Sequence, residues 1–177
     1  LGYIVWWDVL RVVKSRSPKN RKIFRHLTLH SKIAITVTAG LVLVGAILIF
    51  IFEYANPLTI GEMSLFDKIQ VSLFQSVTTR TAGFASVPQE NLTNASATVS
   101  IILMLIGGSP VGTAGGMKTV TIAVLVCSAF ATIRNKNSAT LFGRRVSEAS
   151  VKKAVAVAVT FLTICSASTI LLMATSN

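Results

Sequence analysis

Charge is scarce in this chain. Of 177 residues only 13% are charged, whereas 52% are hydrophobic, and the mean hydropathy is +0.69. Soluble domains keep about a quarter of their residues charged, so an ordinary water-solvated surface is excluded and a membrane protein is expected. Acidic residues are scarcer still, six against 17 basic, for a formal net charge of +11. That excess would suit nucleic acid, but no aromatic-interleaved basic surface is present, and nucleic-acid binding is set aside. Two cysteines, Cys127 and Cys165, both lie in apolar segments. They are too few for a disulfide framework or a metal site and read as small buried hydrophobes. His26 and His30 sit four apart in a basic stretch with no suitable third ligand nearby, which sets a metal pair aside. Nucleotide-binding patterns are missing as well. No G-x-G-x-x-G occurs, and Met117 intervenes between Gly116 and Lys118, where a Walker loop has Gly directly before Lys. No catalytic residue is assigned, no cofactor is implied, and the chain is not read as an enzyme.

An initiator Met and a signal peptide are absent too. Residues 1–12 read as the end of an earlier membrane helix, with Trp6 and Trp7 as interfacial anchors, and the chain stops at Asn177 just after an apolar run. A piece of a longer polypeptide is expected.

What the chain does have is membrane-scale apolar runs. Residues 33–54 predict a spanning helix and residues 147–177 another, since about 20 apolar helical residues cross a bilayer. Eight basic residues fall between Arg11 and Lys32 and six between Arg134 and Lys153. By the positive-inside rule the connector 13–32 and the loop 134–146 are therefore cytoplasmic. Glu53, Glu62, Asp67 and Glu90 fall in the segments left for the outside. The expected class is an all-α membrane protein: helix, re-entrant pore loop and broken helix, plus flanking transmembrane helices.

The break is the most specific feature. Gly107-Gly-Ser-Pro-Val-Gly-Thr-Ala-Gly-Gly-Met-Lys118 splits an apolar run into 95–106 and 119–133, neither long enough to cross alone. Five glycines and Pro110 in twelve residues oppose a continuous helix. Broken backbone at membrane depth is tolerated only when buried in protein or lining a water-filled path. Gly107, Gly108, Ser109, Pro110, Gly112, Thr113, Gly115, Gly116 and Lys118 are thus candidate residues of a movable plug. Ser109 and Thr113 could bond the freed backbone groups. Lys118 could bond loop carbonyls, meet an acidic partner or reach the inner interface.

Ahead of the break, Ser64-Leu-Phe-Asp67 reads as a capping box opening a helix over 64–78, too short to cross. Thr78-Thr-Arg-Thr-Ala-Gly-Phe84 follows. A row of backbone carbonyls can replace a potassium ion's water, and Gly83 is the natural pivot of such a strand. The backbone of Thr79, Arg80, Thr81, Ala82 and Gly83 is the candidate ion path, with potassium at Thr81, Ala82 and Gly83. Arg80 would repel the ion there, so it is expected to point toward Asp67, Glu62 or Glu90, or to snorkel to the outer interface.

These two motifs, in this order, resemble the Trk/Ktr/HKT potassium transporter superfamily, and within it the bacterial KtrB type of membrane subunit. Phe74 to Phe84 looks like the pore-helix end and filter (79–84), and Ile106 to Thr119 like the intramembrane gating loop (107–118). The resemblance implies four helix–pore loop–helix repeats per polypeptide. Residues 1–12 would end the second, 33–133 form the third, and 147–177 begin the fourth. It further implies potassium uptake at the bacterial plasma membrane in a multi-pass protein, with potassium as substrate and sodium as a candidate activator. Membrane lipid, the remaining repeats, a second copy in a homodimer and a cytosolic, KtrA-like nucleotide-binding ring would be its partners. The alternatives are a secondary transporter holding a small solute at the broken helix, and a membrane-anchored interaction module with a basic cytosolic face.

Overall fold

The computed structural model describes residues 2–14, 23–109, 111–112, 114–135 and 139–175. They fall into two compact units, Leu1–Thr119 and Val120–Asn177. The turn expected at Ser17-Pro18 lies outside the described residues.

The first unit is built around helix α3, Leu29–Glu53, 25 residues long and so about 37 Å in length. It begins at Leu29 rather than at 33, because a cap decides the start. Thr28 is the N-cap and accepts the Ser31 N–H at 3.3 Å. Asp8, on helix α1 (Tyr3–Lys14), accepts the Thr28 N–H at 2.8 Å and its hydroxyl at 2.9 Å. Arg11 holds the other Asp8 oxygen at 2.7 Å. A short helix α2, Ile23–His26, interrupts the connector between them.

At the far end of α3, Glu53 is 1% exposed and accepts from Thr59 Oγ1 (2.6 Å), Asn56 Nδ2 (2.7 Å), Thr93 N (2.9 Å) and Thr93 Oγ1 (2.7 Å). Thr93 is the N-cap of α5, Asn94–Leu105. One buried carboxylate thus fastens α3 to α5 through the cap, rather than standing solvated in an outer loop.

Helix α4, Leu65–Thr78, opens at Ser64, which accepts the Asp67 N–H at 3.3 Å and donates to Asp67 Oδ2 at 2.7 Å. The return arm of the capping box therefore ends on the hydroxyl, not on the backbone. At 14 residues α4 is about 21 Å long. It packs on α3, as does α5. Gly45 of α3 makes the three-way approach feasible: a Cβ there would collide with Ser76 Oγ of α4 and with Leu103 of α5. Ser76 Oγ also donates to the Val42 carbonyl at 2.8 Å. Gly45→Leu is expected to lower stability by about 3 kcal/mol, the upper range for overpacking, read as a lower thermal midpoint of the intact protein in detergent. Gly40→Leu, where a Cβ meets nothing within 4 Å, should leave the midpoint in place. Equal midpoints for both variants would remove this crossing.

The interior of this unit mixes apolar residues (Val5, Ala34 and Ile60) with small or polar ones (Ser31, Ser72, Gln75, Ser76 and Ser96), all at or below 1% exposed, while Leu43, Ile47, Phe66 and Ile69 face outward at above half exposure. Small residues let helices approach closely where hydrocarbon replaces water outside.

The second unit holds α6 (Thr119–Ile133), a β-hairpin and α7 (Glu148–Thr175). The hairpin pairs β1, Thr140–Leu141, with β2, Arg144–Arg145, and departs from the all-α expectation. Its cause is the Phe142-Gly143 turn, both residues at positive φ (49° and 76°), which matches the twist of a two-residue hairpin. Cys127 is half-buried and its thiol donates to the Thr140 carbonyl at 3.3 Å; Cys165 is half-buried and free. Ser147 Oγ accepts the Ser150 N–H at 3.2 Å at the start of α7. Helices α3 and α7 are long and apolar enough to cross a membrane, with mean hydropathies of 2.7 and 2.2, while α5 and α6 are apolar but shorter.

Candidate ion path

The turn after α4 is clamped by one hydroxyl. Thr78 Oγ1 donates to the Phe84 carbonyl at 2.5 Å and accepts the Phe84 N–H at 2.9 Å. Inside this clamp the Ala82 N–H returns to the Thr78 carbonyl at 3.0 Å and the Arg80 N–H to Val77 at 3.2 Å. Thr79 is 1% exposed, whereas Thr81, Ala82 and Gly83 are all exposed. Thr81 has φ +68° and Gly83 φ +80°, while Arg80, Ala82 and Phe84 keep negative φ. A β-branched residue at positive φ is strained; here the Thr81 hydroxyl donates to the Arg80 carbonyl at 2.7 Å. Behind the turn, Gln75, 1% exposed, donates to Gln89 Oε1 at 2.8 Å, and Gln89 donates to the Val87 carbonyl at 2.9 Å.

Residues 114–118 fold back on 106–109 and the end of α5. Ile106 leaves the helix at φ −93°, ψ 81° and forms a parallel bridge with Met117. The Met117 N–H reaches the Leu105 carbonyl at 2.9 Å and the Thr119 N–H reaches Gly108 at 3.2 Å. Two glycines are required sterically. A Cβ on Gly107 would overlap the Gly115 carbonyl, and one on Gly116 (φ +70°) would lie 2.7 Å from the Met104 oxygen. Gly108 is half-buried against Ala114, and Gly112 is exposed beside the Ser109 carbonyl. Of the three options open for Lys118, the loop carbonyl is the one taken: Nζ donates to Ala114 at 2.7 Å. Ser109 is 2% exposed and its hydroxyl has no partner among the described residues; the freed Leu105 and Gly108 carbonyls accept backbone N–H groups instead. Pro110 and Thr113 lie outside the described residues.

The two segments lie close together. A Cβ built on Gly115 would stand 3.7 Å from Thr81 Cγ2. Arg80 crosses the same gap. Its Nη2 donates to the Gly107 carbonyl at 2.9 Å and its Nη1 to the Thr38 carbonyl of α3 at 3.5 Å. This corrects the expectation that it turns toward Asp67, Glu62 or Glu90, or to the outer interface. Asp67 is engaged with Ser64 at the opposite end of α4, about 20 Å away along the helix, whereas the carbonyls freed at the α5 break are within reach. Sequence reasoning did not single out Gln75 or Glu53. Their one signal was a polar side chain in or at the end of an apolar run, which does not reveal its partner.

A short helix, a clamped turn of exposed residues and a glycine loop near it, with two helices long and apolar enough to cross a membrane, are the features of a helical membrane protein. The chain belongs to the TrkH family of cation transport proteins, whose model matches residues 10–177, a family of transporters rather than enzymes. It is 34% identical over 177 residues to the potassium/sodium uptake protein NtpJ of Enterococcus hirae, covering 100% of this chain and 37% of that protein. To the Ktr system potassium uptake protein B of Bacillus subtilis it is 36% identical over 162 residues, 92% of this chain and 34% of the relative. The crystal structure of the potassium transporter TrkH from Vibrio parahaemolyticus superimposes with a TM-score of 0.61 at 19% identity, over 88% of this chain and 32% of the other, a likeness of fold. The chain spans about a third of the length of the curated relatives it matches.

Proposed function

We propose that this chain supplies one of four filter segments, and the intramembrane gate, of a KtrB-like pore that takes up potassium across the cell membrane. The carrying observation is the apposition of the two segments, with Thr81 near Gly115 and Arg80 bonded to the Gly107 carbonyl: a turn of exposed residues beside a compact glycine loop. Alternation of φ sign from Arg80 to Phe84 is what turns successive carbonyls toward one side, as a dehydrated alkali cation requires. α4 ends immediately before this turn, and the partial negative charge at a helix C-terminus favours a cation there. On this reading α4 is re-entrant, residues 79–83 line the path, potassium sits at Thr81, Ala82 and Gly83, and the 107–118 loop closes the path on the cytosolic side. Sodium acts as a co-activator, in keeping with a relative described as a potassium/sodium uptake protein. The outward apolar faces of α3 and α4 meet lipid or the other repeats of the polypeptide. A homodimer carries the pores, and a cytosolic nucleotide-binding ring contacts the basic loops.

The test is growth at micromolar potassium of cells stripped of their own uptake systems, with and without the intact transporter carrying this sequence. Restored growth with matching rubidium tracer uptake is expected. A well-expressed transporter that rescues neither would overturn the proposal.

A further inference from the structure

Arg80 contributes its backbone to the candidate ion path while its side chain carries a cation beside Thr81, and among the described residues no carboxylate holds that cation. Its acceptors are main-chain carbonyls, Gly107 at 2.9 Å and Thr38 at 3.5 Å, and its Nε is buried without a partner among the described residues. The Gly107 carbonyl lies two residues past the end of α5, so the guanidinium faces the partial negative charge of that helix's C-terminus. It also follows directly on the C-terminus of α4. The charge thus ties the end of α4, whose own last carbonyls are paired within the turn, to the carbonyl freed beyond the end of α5. It also lies between the two contact points of the segments. Thr81, next in sequence, faces Gly115, and Gly107, its acceptor, is pressed against that same Gly115 carbonyl. The Gly107 end of the loop cannot move away from the turn without either breaking the Arg80–Gly107 bond or pulling on the turn that Thr78 clamps.

From this geometry we infer that Arg80 is a latch: its guanidinium holds the 107–118 loop shut against the 79–84 turn through the Gly107 carbonyl. The inference rests on the filter-and-gate reading above and adds what keeps the gate closed. Arg80 touches no reacting atom; it is a positioning residue for the loop. Removing it releases the loop while the Thr78 clamp keeps the turn in shape, so uptake rises and potassium-over-sodium preference persists.

The experiment uses the intact transporter with its regulatory ring, in cells, with rubidium and sodium tracers. Arg80→Ala is expected to raise uptake in the down-regulated state about ten-fold, the weight of one charge-assisted hydrogen bond. Loop release is read separately, as labelling of Gly112→Cys by a membrane-impermeant maleimide in inside-out vesicles, every native cysteine having been replaced. Labelling should accelerate by a similar factor in Arg80→Ala. In a transporter already lacking Gly112 to Gly116, Arg80→Ala should add nothing to uptake. Wild-type uptake and labelling in Arg80→Ala, beside raised uptake in the deletion, would overturn the latch and leave the gate standing. A fall in uptake would mark Arg80 as a support of the turn and overturn it too. If the deletion itself changed nothing, the gate reading would fail first. Should Arg80→Ala not reach the membrane, Arg80→Gln, which keeps an amide donor but no charge, carries the labelling test; unchanged labelling there refutes the latch.

Discussion

Gly83→Asp in the intact transporter is expected to abolish potassium uptake, to below about 1% of the wild-type rate, at unchanged membrane expression. Backbone strain contributes little of this: leaving φ +80° to a non-glycine residue costs about 1–2 kcal/mol, and Asp is among the residues that tolerate it best. Space is not the obstacle either, since a Cβ at Gly83 meets nothing within 4 Å. The effect comes from charge. The side chain projects into the open region beside the exposed Thr81 and Ala82, where conduction needs binding weak enough for the ion to leave. A carboxylate about 4 Å from the cation adds about 4 kcal/mol at an effective dielectric of 20, which lengthens its dwell by about a thousand-fold. Gly83→Ala is the control, with at least as much backbone strain and no charge, and should lose no more than about ten-fold. Rubidium tracer uptake normalised to protein in the membrane reads both. Undiminished uptake in Gly83→Asp, or equal losses in the two variants, would mean that position 83 does not line the path.

Deleting Gly112 to Gly116 has the opposite sign. It removes Gly115, which faces Thr81, Gly116, whose positive φ reverses the chain beneath Met104, and Ala114, the acceptor of Lys118. The pairing of Met117 with Leu105 can no longer be reached from the Gly107 side without redrawing the loop. Uptake in the down-regulated state should rise at least ~10-fold, the loss of the Lys118 bond alone having about that weight, and the response to nucleotide should weaken. The turn at 79–84 keeps its Thr78 clamp, so potassium preference should survive. Unchanged flux and regulation in this deletion would remove the gate. Because one variant abolishes uptake and the other raises it, a general folding defect cannot mimic both.

Features set by neighbours along the chain were legible before any coordinates. Ser64 and Asp67 mark the start of α4, and α4 ends at Thr78 ahead of the Thr-Arg-Thr-Ala-Gly segment. The glycine-rich break separates α5 from α6 at Leu105 and Thr119, since five glycines and a proline leave no continuous helix. Gly143 marks a turn, but the hairpin around it was missed, because two-residue strands have too little alternation to register. The start of α3 was missed for another reason: Asp8, which secures the Thr28 cap, is 20 residues away. The same holds for Glu53, whose partner Thr93 lies 40 residues on.

Hydropathy and glycine placement by themselves determined that this chain is helical, lives in a membrane and carries a short helix, a turn and a broken run in that order, because those properties depend on local periodicity and backbone freedom. What the turn and the break do to each other was decided only in three dimensions. Arg80 and Gly107 are 27 residues apart, and the direction of a long flexible cation depends on which acceptors folding brings within its reach.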